Sequence, residues 1–262
     1  MNDSCLKAIS QLKTLESLYL IQIPKITNGG LDLIGNLKNL NELSISNCST
    51  ISNFVPQLPS LTFIDISFTS IKETWVSNLP KRFPCLRHLI IKGLPWSSNS
   101  FRQINQLKSL ETFSNSANFR LATSTIQSLI FLTSLKVIDL ERTNITNEHV
   151  QLLSSTLQFS LTMLNISVTK VTSQVFESLC KMTKLKYVNL SRNQLEFLPQ
   201  KTHLTRLKES NKFIETVDII LSDFGDDTNE DLMTLEKMYN FLNTSKEKVY
   251  LPWSNLFSFQ ID

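Results

Sequence analysis

The chain has 262 residues, 41% of them hydrophobic, and its 26 lysines and arginines against 23 aspartates and glutamates leave a net charge of +3. That charge is too small to point to nucleic acid or an anionic membrane surface as partner, and no apolar run reaches the roughly 18 residues of a transmembrane helix. Cys5, Cys48, Cys85 and Cys180 are scattered without a Cys-x-x-Cys pair. The opening Met1-Asn-Asp-Ser-Cys5 also lacks the basic and apolar parts of a secretory signal, so a cytoplasmic, reducing location is expected.

Residues 3–12 place Leu6, Ile9 and Leu12 at helical spacing, like the back half of a repeat whose strand is missing. From Leu15 onward one eleven-residue phrase recurs, clearest at Leu185-Lys-Tyr-Val188-Asn-Leu190-Ser-Arg-Asn193-Gln-Leu195. Apolar residues fall on its positions one, four, six and eleven, which fits neither strict alternation nor a helical return. The spacing predicts a short strand followed at once by a tight turn.

Frames start at Leu15, Leu40, Leu61, Leu86, Leu110, Leu135, Leu161, Leu185 and Ile214, 21 to 29 residues apart. Position four then holds Leu18, Leu43, Ile64, Leu89, Phe113, Ile138, Leu164, Val188 and Val217. Position six holds Leu20, Ile45, Ile66, Ile91, Asn115, Leu140, Ile166, Leu190 and Ile219. Of these 27 ladder positions 26 are apolar, Asn115 being the exception. A repeat can bury such residues only if a neighbour stacks on each side, so the core is built by repetition. Position nine is often polar (Thr69, Asn118, Thr143, Thr169, Asn193) and is expected to satisfy backbone groups that the turn leaves unpaired. Cys48 falls on the same ladder.

Between the strands, Pro56 and Pro59 predict little regular helix in repeat two, whereas Trp75, Val76 and Leu79 and then Phe101, Ile104 and Leu107 predict outer helices. Asn115 predicts a distorted fifth strand or an amide with unseen partners. Helices are expected near Asn147–Leu157 and Ser173–Lys181. An extended form is expected at Leu195-Glu-Phe197-Leu198-Pro199, and irregular chain from Gln200 to Lys212. After the ninth strand, Thr228, Glu230 and Asp231 start a helix that continues through Leu242. Lys248-Val-Tyr-Leu251 then reads as a last strand-like piece.

These phrases resemble the leucine-rich repeat family over roughly residues 15–224. The resemblance implies an α/β leucine-rich repeat solenoid, with a curved parallel β-sheet on the concave face and helices and extended turns on the convex face. Residues 1–224 would form about nine repeats, and residues 225–262 a C-terminal cap of helix and strand. Ile26-Thr-Asn-Gly-Gly-Leu31 and the pair Cys48 and Ile51 resemble the cysteine-containing subclass found in F-box proteins.

No catalytic machinery is legible. His88, His149 and His203 lie in different repeats and fit no ligand or triad spacing, and no phosphate loop, Gly-x-Ser-x-Gly or Cys/His metal pattern is present. Asp223-Phe-Gly lacks the companion motifs of a kinase, and the acidic run after it lacks the spacing of a calcium loop. Cys85 reads as a small buried hydrophobe before a strand. Neither an enzyme nor a cofactor or metal site is expected.

What remains is surface. Nine strands at about 4.8 Å give a sheet roughly 40 Å across, enough for a protein interface. Positions two, three, five, seven and eight point away from the core. They put Phe63, Phe68, Ile90, Val137, Met163 and Tyr187 among polar and charged neighbours, an interface-like composition. The predicted partner-binding set is Phe63, Asp65, Phe68, His88, Ile90, Lys92, Val137, Asp139, Glu141, Arg142, Met163, Asn165, Tyr187 and Arg192. The expected activity is that of a non-catalytic scaffold or adaptor holding a protein on its concave sheet. The alternatives are the substrate-recognition part of a ubiquitin ligase complex, a regulator of a GTPase or other enzyme, and a microbial effector. The first strand has no partner on its outer side in this scheme, so a second chain or further sequence is expected to cover that edge.

Overall fold

The computed structural model describes residues 1–219 except 54, 55, 97, 98, 122, 194 and 196–200. The chain divides into two compact units, Met1–Gly225 and Asp226–Asp262. The expected C-terminal helix and strand, the acidic run before them and the extended form at Phe197–Pro199 therefore lie outside the described residues.

Each frame folds into one three-residue strand centred on position four. The strands are β1 (Ser17–Tyr19), β2 (Glu42–Ser44), β3 (Phe63–Asp65), β4 (His88–Ile90), β5 (Thr112–Ser114), β6 (Val137–Asp139), β7 (Met163–Asn165), β8 (Tyr187–Asn189) and β9 (Thr216–Asp218). All pair in parallel, in chain order, in one nine-stranded sheet. Position four stands opposite position four throughout, from Leu18 and Leu43 at one end to Val188 and Val217 at the other. The apolar ladders are the core: every residue on positions one, four and six is buried except the end members Leu15, Ile214 and Ile219. This is the α/β leucine-rich repeat solenoid that the resemblance implies.

The strands are short because the turn begins two residues after them. Position eight holds positive φ in Gln22, Asn47, Phe68, Gly93, Ala117, Arg142, Val168 and Arg192, between 53° and 65°. Glycine adopts that left-handed region freely, whereas a bulky or β-branched residue there is strained. Position nine then closes the turn. Thr69, Thr143 and Thr169 donate to the carbonyls of Ile66, Leu140 and Ile166 at 2.6–2.9 Å, and Asn118 donates to Trp96. Cys48 is fully buried with its Sγ 3.0 Å from the Leu20 carbonyl, a structural member of the same ladder.

Two expectations fail here. Strand β5 is regular and paired on both sides. Asn115 nevertheless sits in the core, with Oδ1 accepting from Asn118 at 3.4 Å and Nδ2 without a partner. The flanking ladders hold the strand, so the amide bears the mismatch. The stretch after Gln200 is not irregular: Lys201–Ser210 is an α-helix, because Leu204 and Leu207, three apart, are both buried and His203 stacks on Phe176. Asn211 after it is also fully buried, but its amide donates to the carbonyls of Met182 and Leu185 and accepts from the Phe213 N–H.

Helices run Asn147–Thr156 and Val175–Leu179, whereas repeats three and four use 3₁₀ turns at Glu73–Asn78 and Asn99–Gln106. Their core is filled by a chain of aromatic rings, Trp75, Trp96, Phe101 and Phe113, with centroids 5.9–6.4 Å apart. The Trp96 indole donates to the Ile71 carbonyl at 2.9 Å.

Candidate functional site: the open face of the sheet

Side chains at positions three and five share the face opposite the core, since alternate residues of a strand point to opposite sides. The register brings position-three residues into rows. Phe63 faces His88, their rings 6.2 Å apart, and the His88 Nδ1 lies 3.0 Å from the Thr112 hydroxyl. Val137, Met163 and Tyr187 form a second row across β6, β7 and β8, all half-buried. Phe68 stands in the turn beyond β3, 47% exposed, with its ring lying over Gly93 where any side chain would collide with it. Arg142 and Arg192 occupy the same turn position and are exposed. Arg142 pairs with Glu141 at 3.6 Å, an exposed pair that contributes little.

Position five behaves differently from the sequence expectation. Ile90, Asp139 and Asn165 do not project from the face; each is at most 2% exposed. Ile90 lies in register between Asp65 and Ser114, and between His88 and Lys92 along its own chain, so its neighbours enclose it. Asp139 accepts from the Ser114 hydroxyl at 2.8 Å and the Asn165 amide at 3.0 Å, and Lys92 reaches across β5 to pair with it at 3.3 Å. The small residues Ser114, Ser116 and Ala117 on the intervening repeat leave room for that reach.

This polar ladder was not anticipated, although its signal is in the sequence. Ser, Asp or Asn at position five precedes position seven by two residues, the spacing at which such side chains capture a backbone N–H. The Ser67 N–H donates to Asp65 at 2.9 Å, Glu141 to Asp139 at 3.3 Å, Ser167 to Asn165 at 3.2 Å and Ser191 to Asn189 at 3.0 Å. Asp65 is half-buried and also accepts from Ser44 at 3.3 Å. Its carboxyl is pushed above the usual range by burial, against the pull of these donors and of Lys92.

Around this centre the titratable groups are tuned by local contacts. Burial lowers the pKa of His88, so the ring is neutral at pH 7. Tyr19 and Tyr187 are pushed up to about 12, Tyr19 mainly by burial and by Glu42, Tyr187 mainly by its hydrogen bond to Glu215. His149 caps the helix Asn147–Thr156: its Nδ1 accepts from the Thr146 N–H at 3.1 Å. Among the described residues no three His, Cys, Asp or Glu side chains come together as metal ligands do, and no helix is long and apolar enough to cross a membrane.

A nine-stranded parallel sheet with this turn and this ladder is a leucine-rich repeat fold. Two solved leucine-rich repeat structures are similar to it. An internalin (inlF) from Listeria monocytogenes superposes with a TM-score of 0.61 at 19% identity, covering 85% of this chain and 58% of the internalin. Human 5T4 (Wnt-activated inhibitory factor 1, trophoblast glycoprotein) gives a TM-score of 0.54 at 18% identity over 78% of each chain. The chain thus spans little more than half of the internalin's length. No protein-family model and no curated protein matches the sequence.

Proposed function

We propose that the chain is a non-catalytic interaction scaffold that binds a protein on the open face of its sheet. The observation that carries this reading is the two rows at position three: Phe63 with His88, and Val137, Met163 and Tyr187, half-buried side chains standing together on one wide face. Aromatic and aliphatic groups so placed bury much area at small entropic loss. Phe68, Lys92, Glu141, Arg142 and Arg192 supply the mixed rim. Ile90, Asp139 and Asn165 hold the sheet face together instead of meeting the partner. Capture on the full chain, followed by hydrogen exchange with and without the captured protein, tests this. Protection at residues 63–68 and 137–142 is expected, and protection confined to the helices would overturn it.

The four cysteines are all free, Cys85 being exposed and not buried as its place before a strand suggests, and free thiols support a reducing, cytoplasmic setting. A second reading, substrate recognition within a ubiquitin ligase complex, is favoured only by the resemblance of repeats one and two, where Cys48 takes the turn position. We also propose that the β1 edge is covered by a second chain or by sequence beyond the described residues. Leu12 is 54% exposed, whereas its counterparts Leu37, Leu58, Phe83, Leu107, Leu132 and Met182 are buried. If amides of Ser17–Ile21 in an isolated monomer resist exchange as strongly as the central strands, that edge needs no cover.

A further inference from the structure

Charge is unevenly placed on the open face. Positions three, five, seven and eight of the first three repeats carry Glu42 and Asp65 and no lysine or arginine. Glu42 is occupied by the hydroxyls of Ser17 and Tyr19. Asp65 differs from Asp139, the acidic residue at the same position of β6. Asp139 has its own cation in Lys92, 3.3 Å away, whereas no lysine or arginine nitrogen of the described residues lies within 4.0 Å of Asp65. Lys92 acts on Asp65 only from longer range. A carboxylate drawn partly out of water and left without a close cation is destabilising to its own fold, and a cation delivered from outside relieves that.

The surroundings select the kind of cation. Phe63 precedes Asp65 by two residues on the same strand face, and Phe68 follows it in the turn. The Phe68 backbone is held at φ +54, a strained setting for a bulky residue, and its ring lies over Gly93, which presents an exposed aromatic surface beside this strand. Asp65 accepts from the Ser67 N–H on one oxygen and from the Ser44 hydroxyl on the other, with the Ser67 side chain beside it, and a carboxylate offers about four acceptor sites. The neighbouring His88 is neutral and does not compete. A planar group that can stack on an aromatic ring and fork onto a carboxylate is a guanidinium; an ammonium does only the second of these well.

We propose that the partner inserts an arginine side chain at Asp65, between Phe63 and Phe68. The inference rests on the open face being the binding face, and it names the chemistry that this face recognises at its first end.

The test uses the full chain and small probes: N-acetyl-arginine amide, its neutral isostere N-acetyl-citrulline amide, and N-acetyl-lysine amide. Ring resonances of Phe63 and Phe68 are followed by NMR. The arginine probe should give saturable shifts at both rings and bind at least tenfold more tightly than the citrulline probe. Asp65→Asn keeps an acceptor for the Ser67 N–H and should abolish that preference, with unchanged amide spectra elsewhere as proof of folding; Asp65→Glu should retain part of it. Equal binding of the arginine and citrulline probes, equal binding in Asp65→Asn, or no saturable arginine shift up to about 50 mM overturns the site. A lysine probe that binds as tightly as arginine overturns the choice of guanidinium. Failure here is separable from failure of the interaction face. If Val137→Ala with Met163→Ala abolishes capture of the protein partner while the arginine probe has no effect, the face stands and the arginine site falls. If the arginine probe binds at Asp65 but the partner ignores those substitutions, the arginine site stands and the wider face falls.

Discussion

The two sides of the sheet are built on different terms. Beneath it, positions one, four and six repeat apolar residues that touch the repeats on either side, so each is constrained by its neighbours. On the open side, positions five and seven repeat a polar ladder that satisfies the backbone locally, while positions three and eight vary from Ser17 and Gln22 to Phe63 and Phe68 without disturbing the register. The buried side specifies the fold and leaves the open side free to vary.

The sharpest way to break this contrast is to place a charge beneath the sheet. Leu140→Asp buries an unpaired carboxylate between fully packed repeats and should unfold at least the neighbouring repeats, lost from circular dichroism at 25 °C. Unchanged dichroism and melting would contradict the register. Next in size, Ile64→Ala removes a fully buried side chain and should destabilise the protein by about 2–5 kcal/mol in denaturant titration. On the polar ladder, Asp139→Ala leaves Lys92, Ser114 and Asn165 without their shared acceptor. A loss of about 1–3 kcal/mol is expected, discounted because Lys92 is partly exposed.

The smallest effect has the opposite sign. Burial holds the Asp65 carboxyl above its usual value, so the native state binds a proton more tightly than the unfolded chain does. Its contribution to stability therefore rises as pH falls through the interval just above 3.8 and is lost as pH rises through the folded value. Asp65→Asn should abolish this dependence and raise Tm at pH 7 by about 2 °C, the scale of a fraction of a kcal/mol in a chain of this size. A lower Tm in the variant would show the carboxylate to be a net stabiliser.

The sequence was most legible where one residue's role is repeated and apolar. Leu18, Leu43, Ile64 and their successors announce both strand and register, because only stacking can bury them. It was less legible where a side chain's setting depends on the neighbouring repeats. Ile90, Asp139 and Asn165 read as exposed from alternation along their own strands, but residues in register on both sides enclose them. The left-handed turn at position eight was hidden because only Gly93 and Asn47 favour it; Phe68, Arg142 and Val168 give no local sign. Leu204 and Leu207 were too sparse among polar residues to announce a helix. Asn115 predicts either a distorted strand or an amide with unseen partners; the strand is paired on both sides, and Asn118 is the partner the sequence did not reveal, met by the oxygen alone.

The most direct measurement on the central claim compares partner binding by wild type, by Phe63→Ala with Phe68→Ala, and by Ile64→Ala at a temperature where all three are folded. These three residues sit within one repeat, two on the open face and one beneath it. The double variant should bind at least about tenfold more weakly with little change in melting, as expected for truncated hot-spot aromatics. Ile64→Ala should melt early but, while folded, bind like wild type. Undiminished binding by the double variant, or loss of binding that follows stability alone, would contradict an interface on the open face of the sheet.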